Sequence, residues 1–373
     1  MDQRKFWVAF NAIQGIGPAR LQKLASYFPD LSTAWYASRA ELCAGGLPER
    51  VCDYFITGRK KIDPDQKFDE ILQKGIDVLT LDDELYPRRL KEINNPPSVL
   101  FFKGEYIPTD EWAVAIVGTR KASSYGKQIT NELAAFLASH DITVVSGMAR
   151  GVDAIAHHAA IKANGRTIAV LGCGVDVIYP PEHRGLSEQI VQQGVLISDY
   201  FPGTPPESVN FPPRNRIISG LSLATIVIEA GQKSGALITA TYAAEHGRDV
   251  YALPGPIYAQ QSKGTNQLIA QGAIPLLDYD QLLDNLNIRQ DAIMEKPRAM
   301  IPENENEEKI LTCLGSEALI IDEILNMTNL PVQTISATLS MMELKGFVTQ
   351  VEGVKYRVSH GKSVLQRSTK NEK

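Results

Sequence analysis

The sequence predicts an α/β protein in which helices wrap a parallel sheet. From Ile76 onward, short β-branched apolar runs alternate with longer helical stretches, the pattern of successive strand-helix-strand units. Almost every position is apolar in the runs Val114–Val117, Thr167–Leu171 and Ala224–Ile228, as expected of strands with helices above and below. Because such crossovers are right-handed, these units build a Rossmann-like, doubly wound parallel sheet.

The first sixty residues indicate short helices. Apolar residues recur at helical spacing from Phe6 to Ile13, and the pattern breaks at Gly15-Ile16-Gly17-Pro18 before it resumes at Leu21. This resembles a helix-hairpin-helix, in which Gly15 and Gly17 would let the backbone approach a phosphate. A plain turn between helices, with Gly at the C-cap and Pro at the first helical position, explains the same residues.

Three helices and a hairpin follow an acidic stretch near the C-terminus, which indicates a winged helix. The length of 373 residues suits two or three domains at roughly 150 residues each. The predicted division is a helical, helix-hairpin-helix-like domain at 1–65, a sheet domain at 66–288, an acidic linker at 289–308, a winged helix at 309–360 and a tail at 361–373.

Composition restricts the function. There are 38 Lys and Arg residues against 43 Asp and Glu, a net charge of −5, so any nucleic-acid site must be local. No apolar run approaches the ~18 residues of a membrane span, and the N-terminus lacks a signal peptide, which predicts a cytoplasmic protein without membrane contact. Cys43, Cys52, Cys173 and Cys313 have no zinc-ligand spacing, so we expect reduced core thiols and no metal.

Glycines, hydroxyls and arginines cluster where the predicted strands end. In a doubly wound sheet these ends form the crevice that binds ligands, and backbone N–H groups with guanidinium groups favour phosphate oxygens. A solvated face or a salt bridge explains any one of these residues alone. The candidate anion-binding residues are Gly118, Thr119, Arg120, Ser146, Gly147, Arg150, Gly151, Arg214, Asn215, Arg216, Ser234, Gly235 and Thr239.

Catalytic signatures are missing from the sequence. It contains no Gly-x-Gly-x-x-Gly, no Walker loop and no Gly-x-Ser-x-Gly elbow. Asp153 and His157 are interpreted as a helix cap and a buried, satisfied histidine, and Glu229 lacks a partner for acid/base work. We therefore predict a protein that is not an enzyme and has no cofactor. A Rossmann-type hydrolase or transferase of nucleotides remains the alternative hypothesis.

Taken in order, several motifs resemble the DNA-processing protein A family (DprA, also called Smf). The match spans about residues 70–288 and includes VAIVGTRKASSYG, VVSGMARGVDAIAHHAA, FPPRNRIISGLS and VIEAGQKSGALITA. The resemblance implies a protein that binds single-stranded DNA, loads the RecA recombinase onto incoming DNA during natural transformation, and forms a homodimer. It also implies that Gly118, Thr119 and Arg120 match the family's phosphate-contacting turn. Ser146, Gly147, Arg150 and Gly151 match its second loop.

One loop departs from the family pattern. Many relatives carry a basic residue directly after a Tyr-Pro pair, whereas Tyr179-Pro180 is followed here by Pro181-Glu182-His183-Arg184. His183 and Arg184 are close enough in sequence to substitute for it, and we include both among the candidate DNA-binding residues.

The charge of the winged-helix module disagrees with its pattern. From Ile310 to His360 the module has three cations against five carboxylates, a net charge of −2. Because DNA-reading helices need cations that face phosphates, we predict that this module contacts protein rather than DNA.

Overall fold

The computed structural model describes residues 2–13, 15–286, 304–314, 319–328, 330–344, 348–351 and 355–358. The chain divides into two compact units, Met1–Leu286 and Asn287–Lys373. Most of the predicted linker, residues 289–303, and the predicted tail lie outside the described residues.

A nine-stranded sheet forms the centre of the first unit. Its strands are β1 (Asp77–Thr80), β2 (Val99–Gly104), β3 (Ala113–Val117), β4 (Thr143–Ser146), β5 (Thr167–Val170), β6 (Gly194–Ser198), β7 (Ala224–Val227), β8 (Asp249–Ala252) and β9 (Ile274–Pro275). Their spatial order is β1-β2-β6-β5-β4-β3-β7-β8-β9. The runs Val114–Val117, Thr167–Leu171 and Ala224–Ile228 are therefore confirmed as strands β3, β5 and β7, and the pairings among β3 to β8 are all parallel.

The strands β1 and β2 were not predicted and run antiparallel to their neighbours. Phe101 of β2 lies opposite Ser198 of β6, and Val78 of β1 lies opposite Phe101. The outer end of β2 is only half-buried and carries Lys103, a pattern that suits an antiparallel strand near the margin of a parallel sheet. Both strands extend the sheet beyond β6.

Helices of the first unit surround the sheet. They are α1 (Arg4–Asn11), α2 (Pro18–Tyr27), α3 (Leu31–Tyr36), α4 (Arg39–Ala44), α5 (Glu49–Arg59), α6 (Pro64–Gln73), α7 (Arg88–Lys91), α8 (Ser124–Ser139), α9 (Val152–Lys162), α10 (Arg184–Gln193), α11 (Phe211–Gly220), α12 (Gly235–Glu245), α13 (Lys263–Ala270) and α14 (Tyr279–Asn285). Local signals begin several of them. Ser38 forms a capping box with Glu41 at α4, and Asp63 caps α6 immediately before Pro64.

Alternate residues of one strand enter different apolar clusters, which shows that both faces of the sheet are covered. Ile168 and Val170 pack with Ile217 of α11, whereas Ala169 packs with Ile190 of α10. This confirms a doubly wound arrangement, since the apolar strands predicted from the sequence are buried on both sides.

The N-terminal helices share a core with the sheet. Phe10 and Phe55 stack with ring centroids 4.8 Å apart, and the same apolar cluster continues to Val78 of β1 and Phe101 of β2. Arg4 donates from Nη1 to the backbone oxygen of Val78 at 3.1 Å. The apolar core therefore continues across the predicted boundary near residue 65, from the N-terminal helices into the sheet.

The second unit is a winged helix. Its elements are α15 (Glu305–Leu314), α16 (Ile321–Thr328), α17 (Val332–Leu344) and a sheet of β10 (Leu319–Ile320), β11 (Val348–Val351) and β12 (Lys355–Val358). Ile310, Ile324, Ile335 and Leu339 are fully buried in its core. The predicted three helices and hairpin are confirmed, and β10 adds a short third strand that was not predicted.

Candidate nucleic-acid interface

The loops that follow the parallel strands meet along one edge of the sheet, which we call the carboxyl edge. It comprises loop 3 (residues 118–123), loop 4 (147–151), loop 5 (171–183), loop 6 (199–210) and loop 7 (228–234), named after strands β3 to β7. Parallel pairing brings all of these strand ends to the same side. Most of the residues predicted to bind DNA lie in these loops or begin the helices that follow them.

Loop 3 is held by the loops on both sides of it. The backbone N–H of Thr119 donates to the carbonyl oxygen of Glu229 in loop 7 at 2.7 Å, and the Thr119 carbonyl accepts from Val152 N at 3.2 Å. The Glu229 carboxylate accepts from the backbone N–H of Ser123 at 2.9 Å and from its hydroxyl. Glu229 therefore fixes the start of α8, and Arg120 and Lys121 are left exposed to solvent.

Loop 4 needs glycine where it touches loop 3. Gly151 has φ +79°, and a Cβ there would collide with the carbonyl of Thr119 and the backbone of Arg120. At Gly147, a Cβ would lie 2.7 Å from Nη2 of Arg214. The Asp153 carboxylate accepts backbone N–H groups from Gly147 at 3.2 Å and Ala149 at 3.3 Å, so it braces loop 4 and does not cap its own helix.

Arg214 lies beneath these loops and not on their surface. Arg214 is only 4% exposed. Its Nη1 donates to the carbonyl of Gly147 at 3.1 Å and also to the carbonyl of Val170. Burial lowers the pKa of Arg214, an effect that the charge of Asp153 opposes. Burial likewise raises the pKa of Asp153 against the effect of the Arg214 charge. The two buried charges therefore influence each other without a direct ion pair, and the hydrogen bonds of Arg214 to Gly147 and Val170 tie the ends of β4 and β5 together.

The neighbouring predicted residues are also engaged internally. Arg216 forms an ion pair with Asp199 at 2.6 Å, with both side chains largely buried. Asn215 donates from Nδ2 to the carbonyl of Gly235 at 3.3 Å. The segment Phe211–Gly220 therefore connects three strand ends to the start of α12, and its predicted DNA contacts remain a prediction.

Other predicted residues differ in accessibility. Ser146 is buried and donates its hydroxyl to the carbonyl of Ile116 at 2.6 Å. Thr239 is buried within α12, Gly235 is exposed, and Ser234 caps this helix by accepting the N–H of Ala236 at 3.3 Å. The buried Ser146 and Thr239 shape the carboxyl edge, and only exposed positions such as Gly235 can touch a ligand directly.

Loop 5 brings His183 and Arg184 to the same edge. His183 Nδ1 lies 2.9 Å from the carbonyl of Met148 in loop 4, a distance at which the ring N–H donates. Glu182 accepts from Nε of Arg150 at 2.5 Å, so this exposed arginine already has a partner. Arg184 is exposed at the start of α10, without an ion pair among the described residues.

An aromatic pair accompanies these cations. The Tyr179 ring is 37% exposed, and its centroid lies 5.6 Å from that of Phe211. The guanidinium of Arg214 lies 5.8 Å from the Phe211 ring on which it stacks. The sequence analysis did not select Tyr179 as a contact residue, because the amino-acid sequence alone does not distinguish an exposed tyrosine in a loop from a buried tyrosine in the core.

The glycine hairpin between α1 and α2 lies toward the same edge. The hydroxyl of Ser98 donates to the carbonyl of Pro18 at 3.2 Å, and Ser98 directly precedes β2. Since β2 is antiparallel to β6, the start of β2 lies at the end of β6, where Phe101 pairs with Ser198. Gly15, with φ +89°, and Gly17 have open space around them, but Arg20 donates back to the Gly15 carbonyl at 2.5 Å.

Two other classes of site were sought. Among the residues with described positions, no three or more His, Cys, Asp or Glu side chains come together as metal ligands would. Within that same part of the chain, no helix has the length and apolar character to cross a membrane.

Comparison with known proteins identifies the family. The model of the family described as DNA recombination-mediator protein A matches residues 77–287. Protein Smf of Synechocystis is 38% identical over 95% of this chain and 99% of its own length. The chain belongs to the DprA/Smf family. Protein Smf of Escherichia coli, another member, is 34% identical over 90% of this chain and 93% of its own length.

Solved DprA structures share this fold. The crystal structure of DprA from Streptococcus pneumoniae superposes with a TM-score of 0.67 at 32% identity, covering 75% of this chain and 97% of that one. DprA from Helicobacter pylori gives a TM-score of 0.52 at 31% identity over 57% of this chain and 96% of that one, in work on its single-stranded DNA binding mode. A model of the DprA winged helix domain matches residues 294–354, so the family includes both units.

Proposed function

We propose that this protein binds single-stranded DNA along the carboxyl edge and delivers it to the RecA recombinase. The observation that carries the proposal is the placement of Arg120. It is exposed on a turn that Glu229, Val152 and Gly151 hold in place. The guanidinium and the backbone of this turn can therefore bind a phosphate without a change in the conformation of the loop. The single-stranded DNA that the Helicobacter pylori relative binds supports this choice of ligand.

The predicted residues take two roles in this proposal. Arg120, Arg150 and Arg184 supply charge and hydrogen bonds to phosphates, and the backbones of Gly118, Thr119 and Gly151 allow the strand to come close. His183 holds loop 5 against loop 4 through its bond to Met148. Tyr179 supplies a face on which a base stacks. The buried Arg214, Asn215 and Arg216 hold the loops in shape.

Binding can be tested by fluorescence anisotropy with labelled single strands over a series of salt concentrations. Arg120→Ala should weaken binding of all sequences alike and reduce the slope of log affinity against log salt by about 0.7, the value for one phosphate of a single strand. Lys162→Ala is the matched control, because this exposed cation ends α9 at the opposite edge of the sheet. An unchanged slope for Arg120→Ala would remove this turn from the interface.

The same titrations separate DNA binding from the chemistry of small nucleotides. A strand that spans the edge should outcompete mononucleotides by orders of magnitude, since it contacts several loops at once. Competition by mononucleotides at similar concentrations, with steady turnover, would favour a nucleotide hydrolase or transferase instead.

RecA loading and dimer formation need separate tests. We expect the protein to accelerate RecA assembly on strands already coated by a single-strand-binding protein, and Arg120→Ala to lose this effect. Sedimentation equilibrium should show two copies in the particle. Failure of RecA loading by a protein that still binds strands would limit the proposal to DNA binding.

A further inference from the structure

Two thiols of the N-terminal helices lie against one another. Sγ of Cys43, near the end of α4, is 3.0 Å from Sγ of Cys52, in the first turn of α5. Both are free thiols, as are Cys173 and Cys313. No sequence pattern pairs them, because eight residues separate the two cysteines and no Cys-x-x-Cys motif is present.

We propose that Cys43 and Cys52 form a redox-active pair that closes to an intramolecular disulfide when it meets a low-molecular-weight disulfide. The sulfur atoms need to approach by only about 1 Å to reach the bonded distance of roughly 2.05 Å. This site lies outside the carboxyl edge and does not depend on the proposed DNA binding.

The surroundings assign different roles to the two thiols. Cys43 is half-buried and accessible from solvent, whereas Cys52 is fully buried. The Cys43 thiol is therefore the one that a small disulfide reaches first. Burial raises the pKa of Cys52 to about 12, which keeps it a thiol until its partner has reacted.

The reaction balances as two successive thiol-disulfide exchanges. The Cys43 thiolate attacks one sulfur of the small disulfide, breaks its S–S bond and releases one small thiol. Cys52 then gives up its proton and attacks Sγ of Cys43, which releases the second small thiol and forms the Cys43–Cys52 bond. Two protein thiols are oxidised and one small disulfide is reduced to two thiols.

The bond would tie α4 to α5 across a glycine turn. Gly45 and Gly46 belong to this turn and line one side of an open groove of about 720 Å³ whose other side includes Lys23 and Tyr27 of α2. Oxidation would therefore restrain one wall of that groove. In a reducing compartment such a bond is transient, which suits a sensor better than a structural link.

Tryptic mapping of the full-length protein tests this directly. Cleavage places Cys43 in the peptide 40–50 and Cys52 in the peptide 51–59, so a disulfide between them joins two separate peptides. After exposure of the native protein to oxidised glutathione, we expect this joined pair, the loss of two of the four thiols and full reversal by dithiothreitol. Cys173 and Cys313 serve as internal references.

The variant Cys52→Ser traps the intermediate. It should retain glutathione on Cys43, whereas the unaltered chain should pass through this adduct without accumulating it. Cys43→Ser should leave Cys52 unmodified. A stable glutathione adduct on Cys43 of the unaltered chain, or reaction of the pair only after urea unfolding, would overturn the proposal. Because the joined peptides are sought in the unaltered chain, the test stands even if a variant folds poorly.

Discussion

Replacing the buried Arg214 should reduce stability far more than it changes direct contact with DNA. Arg214→Met keeps much of the side-chain volume but removes the donor to the carbonyls of Gly147 and Val170, and each buried carbonyl left without a partner costs about 1–3 kcal/mol. Asp153 also loses its counter-charge. Removing one of two buried charges that stabilise each other costs about 3–5 kcal/mol, which we take as the total together with the lost hydrogen bonds.

Calorimetry measures this loss of unfolding free energy as a decrease in the melting temperature, Tm. The first unit has 286 residues, and about 2.1 cal/mol/K of unfolding entropy per residue gives about 0.6 kcal/mol/K for the unit. The Tm of Arg214→Met should therefore fall by about 5–8 °C, whereas Arg120→Ala should leave the Tm unchanged. The double variant Arg214→Met with Asp153→Asn should recover part of the loss, because no unpaired carboxylate remains. An unchanged Tm together with weakened DNA binding would show that Arg214 faces the ligand and would refute the structural role.

Three further outcomes follow from the described contacts. Burial lowers the pKa of His157 to about 3. Between about pH 6.5 and pH 3, this histidine is therefore protonated in the unfolded chain but not in the folded one. Urea unfolding should then show that lowering the pH from 7.5 to 5.5 costs the unaltered protein about 1.4 kcal/mol more than His157→Gln. Gly151→Ala should lower the Tm, since its Cβ collides with the Thr119 backbone and φ is positive, while Gly235→Ala, in open space, should not. A chain that ends at Asn287 should keep most of its single-strand affinity in anisotropy; a tenfold loss, about 1.4 kcal/mol, would show that the acidic winged helix holds DNA.

The sequence predicts the parallel core of this fold well because its signals are local. Apolar runs such as Val114–Val117 and the glycines that follow them indicate strand ends wherever they occur, and the carboxyl edge follows from topology alone. This reasoning does not find the antiparallel β1 and β2, since only the four-residue helix α7 lies between them and the direction of a strand leaves little trace in composition.

Burial of polar residues is the part that the sequence could not supply. Arg120 comes two residues after Gly118 and Arg214 directly after Pro213, both near a predicted helix start. Nothing in the sequence distinguishes the exposed guanidinium of Arg120 from that of Arg214, which is buried against the carbonyl of Gly147. Such a contact depends on residues more than sixty positions apart. The approach of Cys43 to Cys52 is likewise set by the angle between two helices.

The shared core of the N-terminal helices and the sheet limits how this chain can be shortened. Val78, Val99 and Phe101 are almost completely buried and belong to the same apolar cluster as Phe6, Phe10 and other residues of α1 to α6. A chain that began at β1 would expose these side chains along the β1 side of the sheet, where unpaired strands invite association with other chains. Any relative without these helices must therefore place polar residues, or another segment, over the same strands. The helical segment thus acts as a cover over the apolar side chains at this margin of the sheet.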